Sequence, residues 1–199
     1  MNIDLKTWCK TRLIFILVFT PLISAPYSSN AQAFEYIDIG VQSTQPYLQD
    51  NSYANRWDLT QSYGASLTTP FYVGHVGLSV AYFDYEPKGE PYALLESTNY
   101  AATFGYIFGE EKIFSLSTML GVGIQKTWLI GDAFTSNSDE RELYFTSILE
   151  PTIRLGKLAL FAHFQYAKVF NYERQHILHL GLGVRYRLYL PNHIQSLID

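Results

Sequence analysis

In residues 178–190, LHLGLGVRYRLYL, every second position is apolar, from Leu178 through Leu190, with His179, Gly181, Gly183, Arg185, Arg187 and Tyr189 between them. A β-strand sends successive side chains to opposite faces, so this stretch reads as a strand with one oily face and one small or cationic face. The same period of two recurs along the chain and predicts eight strands, at residues 34–43, 57–69, 72–86, 97–108, 112–128, 143–155, 158–170 and 175–190. Their connections alternate in length. Tight turns are expected at Pro70-Phe71, Gly109–Glu111 and Gly156-Lys157, and longer polar loops at 44–56, 87–96 and 129–142, with 171–174 as a short fourth. An even strand number, with short turns at one end and long loops at the other, is the layout of an up-and-down antiparallel transmembrane barrel.

The composition of the two faces decides which one is inside. The oily faces carry residues such as Ile39, Val41, Trp57, Leu59, Leu78, Val80, Leu116, Val122 and Leu182. The opposite faces carry Gly40, Gly64, Gly77, Gly105, Gly121, Gly123, Gly181 and Gly183, with many Ala, Ser and Thr and almost no Lys. A soluble barrel would coat its outer face with Lys and Glu. Small residues instead suit the lumen of a narrow barrel, where eight strands leave room only for side chains. The oily face therefore points out to hydrocarbon, and the lumen is filled. Aromatics collect towards both ends of the oily face, including Trp57, Tyr82, Tyr100, Trp128 and Phe145 near the long loops and Phe71, Phe108, Phe114 and Tyr186 near the tight turns, like the two girdles of an outer-membrane barrel. Pro151, inside the sixth strand, cannot donate to a ladder, and a bulge is expected there.

The inward faces also hold charge: Asp38, Asp58, Glu150, Arg154, Arg185 and Arg187, together with His163 and His179. Isolated buried charges are costly, so these groups are expected to pair with one another. If Gly156-Lys157 is a two-residue hairpin turn, positions summing to 313 oppose each other, which sets Glu150 against His163 and Arg154 against Ala159. Arg154 and Arg185 are expected nearer the tight-turn end, with Asp38 across the closing seam. A carboxylate beside a histidine also serves acid–base catalysis, but within a plugged lumen a structural pair is the reading adopted, and no catalytic residues are assigned.

The ends and the charge refine this picture. Lys6, Lys10 and Arg12 precede the apolar run LIFILVFTPLIS (13–24), and Ala31-Gln32-Ala33 offers a small-residue exit, the layout of a cleaved signal peptide over 1–33. The apolar run falls short of the roughly 20 residues a spanning helix needs. Cys9 would leave with that peptide. The barrel domain is assigned to 34–190 and a short periplasmic tail to 191–199. The full chain carries −4; residues 1–33 hold three cations against Asp4, a net of +2, so the remainder carries −6. An acidic balance excludes nucleic acid as the main partner. No metal-ligand spacing, phosphate loop or nucleotide motif is present, so no cofactor is expected.

At this point the chain resembles the small eight-stranded outer-membrane barrels of Gram-negative bacteria, the OmpA/OmpX/Ail group, by architecture over 34–190. Its most specific piece is Gly181-Leu182-Gly183-Val184-Arg185-Tyr186-Arg187-Leu188, similar to the last-strand assembly signal of such proteins through Gly183, Tyr186 and Leu188. It departs from that signal in having Gly181 where a polar residue is usual, and in continuing to Asp199. The resemblance implies recognition by the outer-membrane insertion machinery and contact with outer-membrane lipid and lipopolysaccharide. A stretch around His163 is similar to the His-x-Ser segment of PagL lipid A deacylases, but Gln165 stands where the serine nucleophile belongs. The function expected is therefore non-enzymatic, structural or binding through extracellular loops, with Tyr47, Tyr53, Tyr92 and Phe134 as the candidate contact residues. Lipid A modification and a narrow pore are the alternatives.

Overall fold

The computed structural model describes residues 34–50, 56–89, 94–130, 139–170 and 175–191. The segments 1–33 and 192–199, assigned from sequence to a signal peptide and a tail, lie outside them. Eight strands form: β1 (Tyr36–Asp50), β2 (Trp57–Phe71), β3 (Gly74–Pro87), β4 (Leu94–Phe108), β5 (Phe114–Ile130), β6 (Asp139–Leu155), β7 (Leu158–Val169) and β8 (His176–Tyr189). Each pairs antiparallel with its neighbours, and β1 pairs with β8 to close a barrel. Closure removes both sheet edges, so every strand finds ladder partners on two sides.

The oily face is outside. Leu182 is 73% exposed, and Val41, Leu78, Val122, Leu160 and Phe114 are likewise exposed, whereas Asp38, Thr146, Ala167 and His163 are buried. A continuous apolar exterior of this extent far exceeds the patches that water-soluble monomers carry. Glycines line the interior where neighbouring groups press close. A Cβ on Gly123 would sit 1.7 Å from the Tyr100 carbonyl oxygen, and one on Gly183 would sit 2.2 Å from the Phe161 ring.

Several boundaries differ from those predicted. The β2–β3 turn lies at Tyr72-Val73, since Phe71 pairs with Gly74 and Pro70 with His75, two residues beyond the expected Pro70-Phe71. Tyr72 takes a φ of 49° there, the left-handed region that favours glycine. Gly156 (φ 65°) leads a two-residue hairpin between Leu155 and Leu158, as expected, and Gly109 (φ 70°) opens the β4–β5 connection. Pro151 causes no bulge. The β6–β7 pairs run to Leu149↔Phe164 and resume at Thr152↔Phe161 with the register unchanged, and Pro151 itself pairs with Leu116 of β5.

The bulges fall elsewhere, between Pro46 and Leu48 in β1 and between Leu59 and Gln61 in β2. One inserted residue reverses the faces beyond it. Beyond the β2 bulge, Trp57 and Leu59 pack against the inward cluster of Phe83, Tyr85 and Leu95, and Asp58 becomes exposed and pairs with Lys88 at 3.0 Å. The prediction that Trp57 and Leu59 face out and Asp58 faces in is thereby corrected. The strands also run further towards the long-loop end than the period of two indicated, so Tyr47 lies within β1, not in a loop.

Candidate functional site

The turn at Gly156-Lys157 places β6 and β7 so that Glu150 and His163 share one rung inside the barrel, and the ladder then fixes β8 beside β7 with Arg185 opposite Ala159. Glu150 is 4% exposed and Arg185 3%. Arg185 Nη2 donates to Glu150 Oε2 at 2.6 Å, and His163 Nδ1 to Glu150 Oε1 at 2.8 Å. A carboxylate can only accept, which assigns the proton on Nδ1. His163 Nε2 lies 3.3 Å from Gln42 Nε2 and 3.2 Å from Gln165 Oε1, so the ring is held at both edges. Gln165 in turn donates to Thr146 Oγ1 at 2.9 Å and to the Tyr144 hydroxyl. The Arg185 guanidinium lies over the Phe161 ring, 4.6 Å from its centroid.

A second cluster fills the lumen nearer the tight turns. Asp38 of β1 faces Arg187 of β8 across the closing seam. Arg187 grips it with two hydrogen bonds, Nε to Oδ1 at 2.9 Å and Nη2 to Oδ2 at 2.8 Å, and Arg154 Nη2 adds a third to Oδ2 at 3.1 Å. The bidentate fork is the strong form of this contact. Three residues that sequence reasoning missed complete the cluster. Glu110, from the β4–β5 connection, lies 3.1 Å from Arg187 and 3.2 Å from His75, and Tyr36 contacts His75 at 2.9 Å and stacks under Arg187. Burial raises the Glu110 carboxyl above its usual range, against the pull of Arg187. Its place in a predicted turn hid it, because a short turn gives no signal that its side chain folds back into the lumen.

Asp38, Glu150, Arg154, His163, Arg185 and Arg187 thus form ion pairs with one another in the lumen, whereas His179 does not join them. That ring is 1% exposed, packs at 5.0 Å on Phe83, and neither nitrogen has a hydrogen-bond partner among the described residues. It sits higher in the barrel, opposite Pro46 and Gln165, on rungs that carry no acid. Space beside Glu150, His163 and Arg185 is a cavity of about 30 Å³, and one near Tyr85 and Gln175 holds about 10 Å³. Such volumes hold a water or two.

Of the residues expected to form an assembly signal, Gly183 faces in against Phe161, while Tyr186 and Leu188 face out at 40% and 42% exposure. Tyr53, Tyr92 and Phe134 lie outside the described residues, as does the side chain of Tyr47.

No protein-family model matches this chain, and no curated protein matches it in sequence. Among solved structures, it is similar to Neisserial surface protein A, with a TM-score of 0.52 and 12% identity over 76% of this chain and 95% of that one. It is similar to OprG from Pseudomonas aeruginosa, with a TM-score of 0.52 and 14% identity over 80% and 98%. Ail of Yersinia pestis, in complex with the heparin analogue sucrose octasulfate, gives 0.51 and 16% over 77% and 97%. The fold is that of the small outer-membrane barrels. At these identities the likeness speaks of architecture, and residue roles rest on the geometry above.

Proposed function

We propose that this protein resides in the outer membrane of a Gram-negative bacterium as a closed barrel that presents its long-loop end outside, in a structural or loop-mediated binding role and not as an enzyme. The observation that carries this reading is an oily exterior wrapped around a bore blocked by two ion clusters. Export would use the leader at 1–33, and insertion the last strand through Gly183, Tyr186 and Leu188. Binding would fall to Tyr53, Tyr92 and Phe134 of the long loops and to Tyr47 of β1.

The geometry weighs against the two alternatives. Glu150 and His163 form a dyad, yet both are buried inside the bore, and Gln165 rather than a hydroxyl meets the histidine. A lipid acyl chain approaching from outside meets the opposite face of β7. A pore would need a continuous passage where Arg185, Arg187 and their acids stand. The test is mass spectrometry of lipid A from cells expressing and lacking the protein, beside a heat-shift gel of the purified barrel. Identical lipid A and a heat-modifiable, detergent-dependent band are expected. Loss of an acyl chain that depends on His163 would overturn the non-enzymatic reading, and a detergent-independent monomer would overturn the membrane one.

A further inference from the structure

Towards the long-loop end of the bore, the cavity of about 10 Å³ has the size of one water or one bare ion. Its walls are rich in oxygen. Gln125 and Thr127 of β5, Glu142 of β6 and Gln175 line it, with Tyr85 of β3 against the same space. Gln125 and Glu142 are direct ladder partners on the inward face, and Glu140 stands two places away on β6, opposite Thr127. Gln125 is 8% exposed, and its Nε2 donates to Ser97 Oγ at 2.7 Å. That bond turns Oε1 away from Ser97, and there it is buried and meets no donor among the described residues. The half-buried Glu142 carboxylate makes no hydrogen bond or ion pair with the described residues either. The basic residues at this height, Lys126 and Arg141, take the outward face.

Two acceptors therefore share one small space with nothing to donate between them, which is costly away from bulk water. A cation removes that cost. The cavity offers carboxylate, amide and hydroxyl oxygens, and no thiol, thioether or imidazole among the described residues lining it, which is the donor set of a hard cation. Calcium accepts such an irregular set, whereas magnesium demands near-octahedral geometry and dehydrates reluctantly. No three of His, Cys, Asp and Glu gather as a metal cluster among the described residues, so neutral oxygens supply most of the ligands and weak binding is expected.

We infer that this cavity binds one calcium ion through Glu142 and Gln125 Oε1, with Thr127 and Gln175 beside them and Glu140 adding negative charge nearer the loops. The site lies in the bore and is independent of the binding role proposed for the loops.

The test is terbium luminescence from the full barrel, treated with chelator and held in detergent, since terbium occupies calcium sites and is sensitised by aromatic rings as near as Tyr85. Wild type should bind one terbium per barrel and release it to calcium at about 0.1–1 mM, the range of weak extracellular sites, with magnesium about tenfold less effective. Glu142→Gln should weaken calcium about tenfold, the loss of one charge-assisted contact, and Gln125→Leu should weaken it in the same direction. Glu111→Gln, exposed in the turn at the other end, should bind as wild type does. Absence of luminescence in wild type, no release by calcium, or an unchanged affinity in Glu142→Gln would overturn the site. A water alone, or the reverse Gln125 amide donating Nε2 to Glu142, would then fill its place. Equal displacement by magnesium or by sodium would overturn the choice of calcium. Heat-modifiability of each variant, scored in parallel, separates these results from a failure to form the barrel at all.

Discussion

Removing the Glu150 carboxylate is the sharpest perturbation of the lumen. In Glu150→Ala, Arg185 loses its 2.6 Å acceptor and His163 its 2.8 Å acceptor, while both stay buried. A buried charge stripped of its partner costs about 3–5 kcal/mol. The neighbouring cavity of about 30 Å³ admits a water or two, which holds the cost towards the lower end of that range. The stacking of Arg185 on Phe161 survives the change and keeps the cation in place. The second arm is Arg185→Met, which is uncharged, of similar length and able to lie on the same ring. If an orphaned cation is the source of the cost, Glu150→Ala combined with Arg185→Met should be more stable than Glu150→Ala alone by about 1–3 kcal/mol, a non-additivity well above measurement error. Urea unfolding in lipid vesicles, followed by tryptophan fluorescence and by the heat-shift gel, gives midpoint and slope for each corner of the cycle. A single variant within about 0.5 kcal/mol of wild type, or a double variant showing the plain sum of its parts, would refute this account of the lumen.

Other outcomes follow from single positions. Gly183→Ala places a Cβ 2.7 Å from the Val41 carbonyl oxygen and against Phe161, and overpacking of that kind should cost about 1–3 kcal/mol, read as a lower urea midpoint. Gly156→Val forces a β-branched residue to a φ of 65° and should cost about 1–2 kcal/mol while slowing insertion into vesicles. Glu110 has its pKa raised by burial, so the folded barrel binds that proton more tightly than the unfolded chain does. Its contribution is complete below the ordinary value of 4.5 and is lost as pH rises through the raised one. Glu110→Gln should therefore flatten the fall in midpoint across that window, and parallel curves for variant and wild type would remove Glu110 from the pH response.

Much of this protein was legible in the residues. A period of two is a local property, so strand number, the outward leucines and the glycine-lined interior could be read without knowing what packs against what. The opposition of Glu150 and His163 was legible too, because a two-residue hairpin at Gly156-Lys157 converts sequence distance directly into register. The tertiary structure decided what depends on matching distant strands. The bulges turned Trp57 inward and Asp58 outward, Glu110 and His75 joined Arg187 from other strands' ends, and His179 fell on a rung without an acid. Alternation names the face a side chain takes, but its height in the barrel is set by the stagger of all eight strands on closure, and no single segment encodes that.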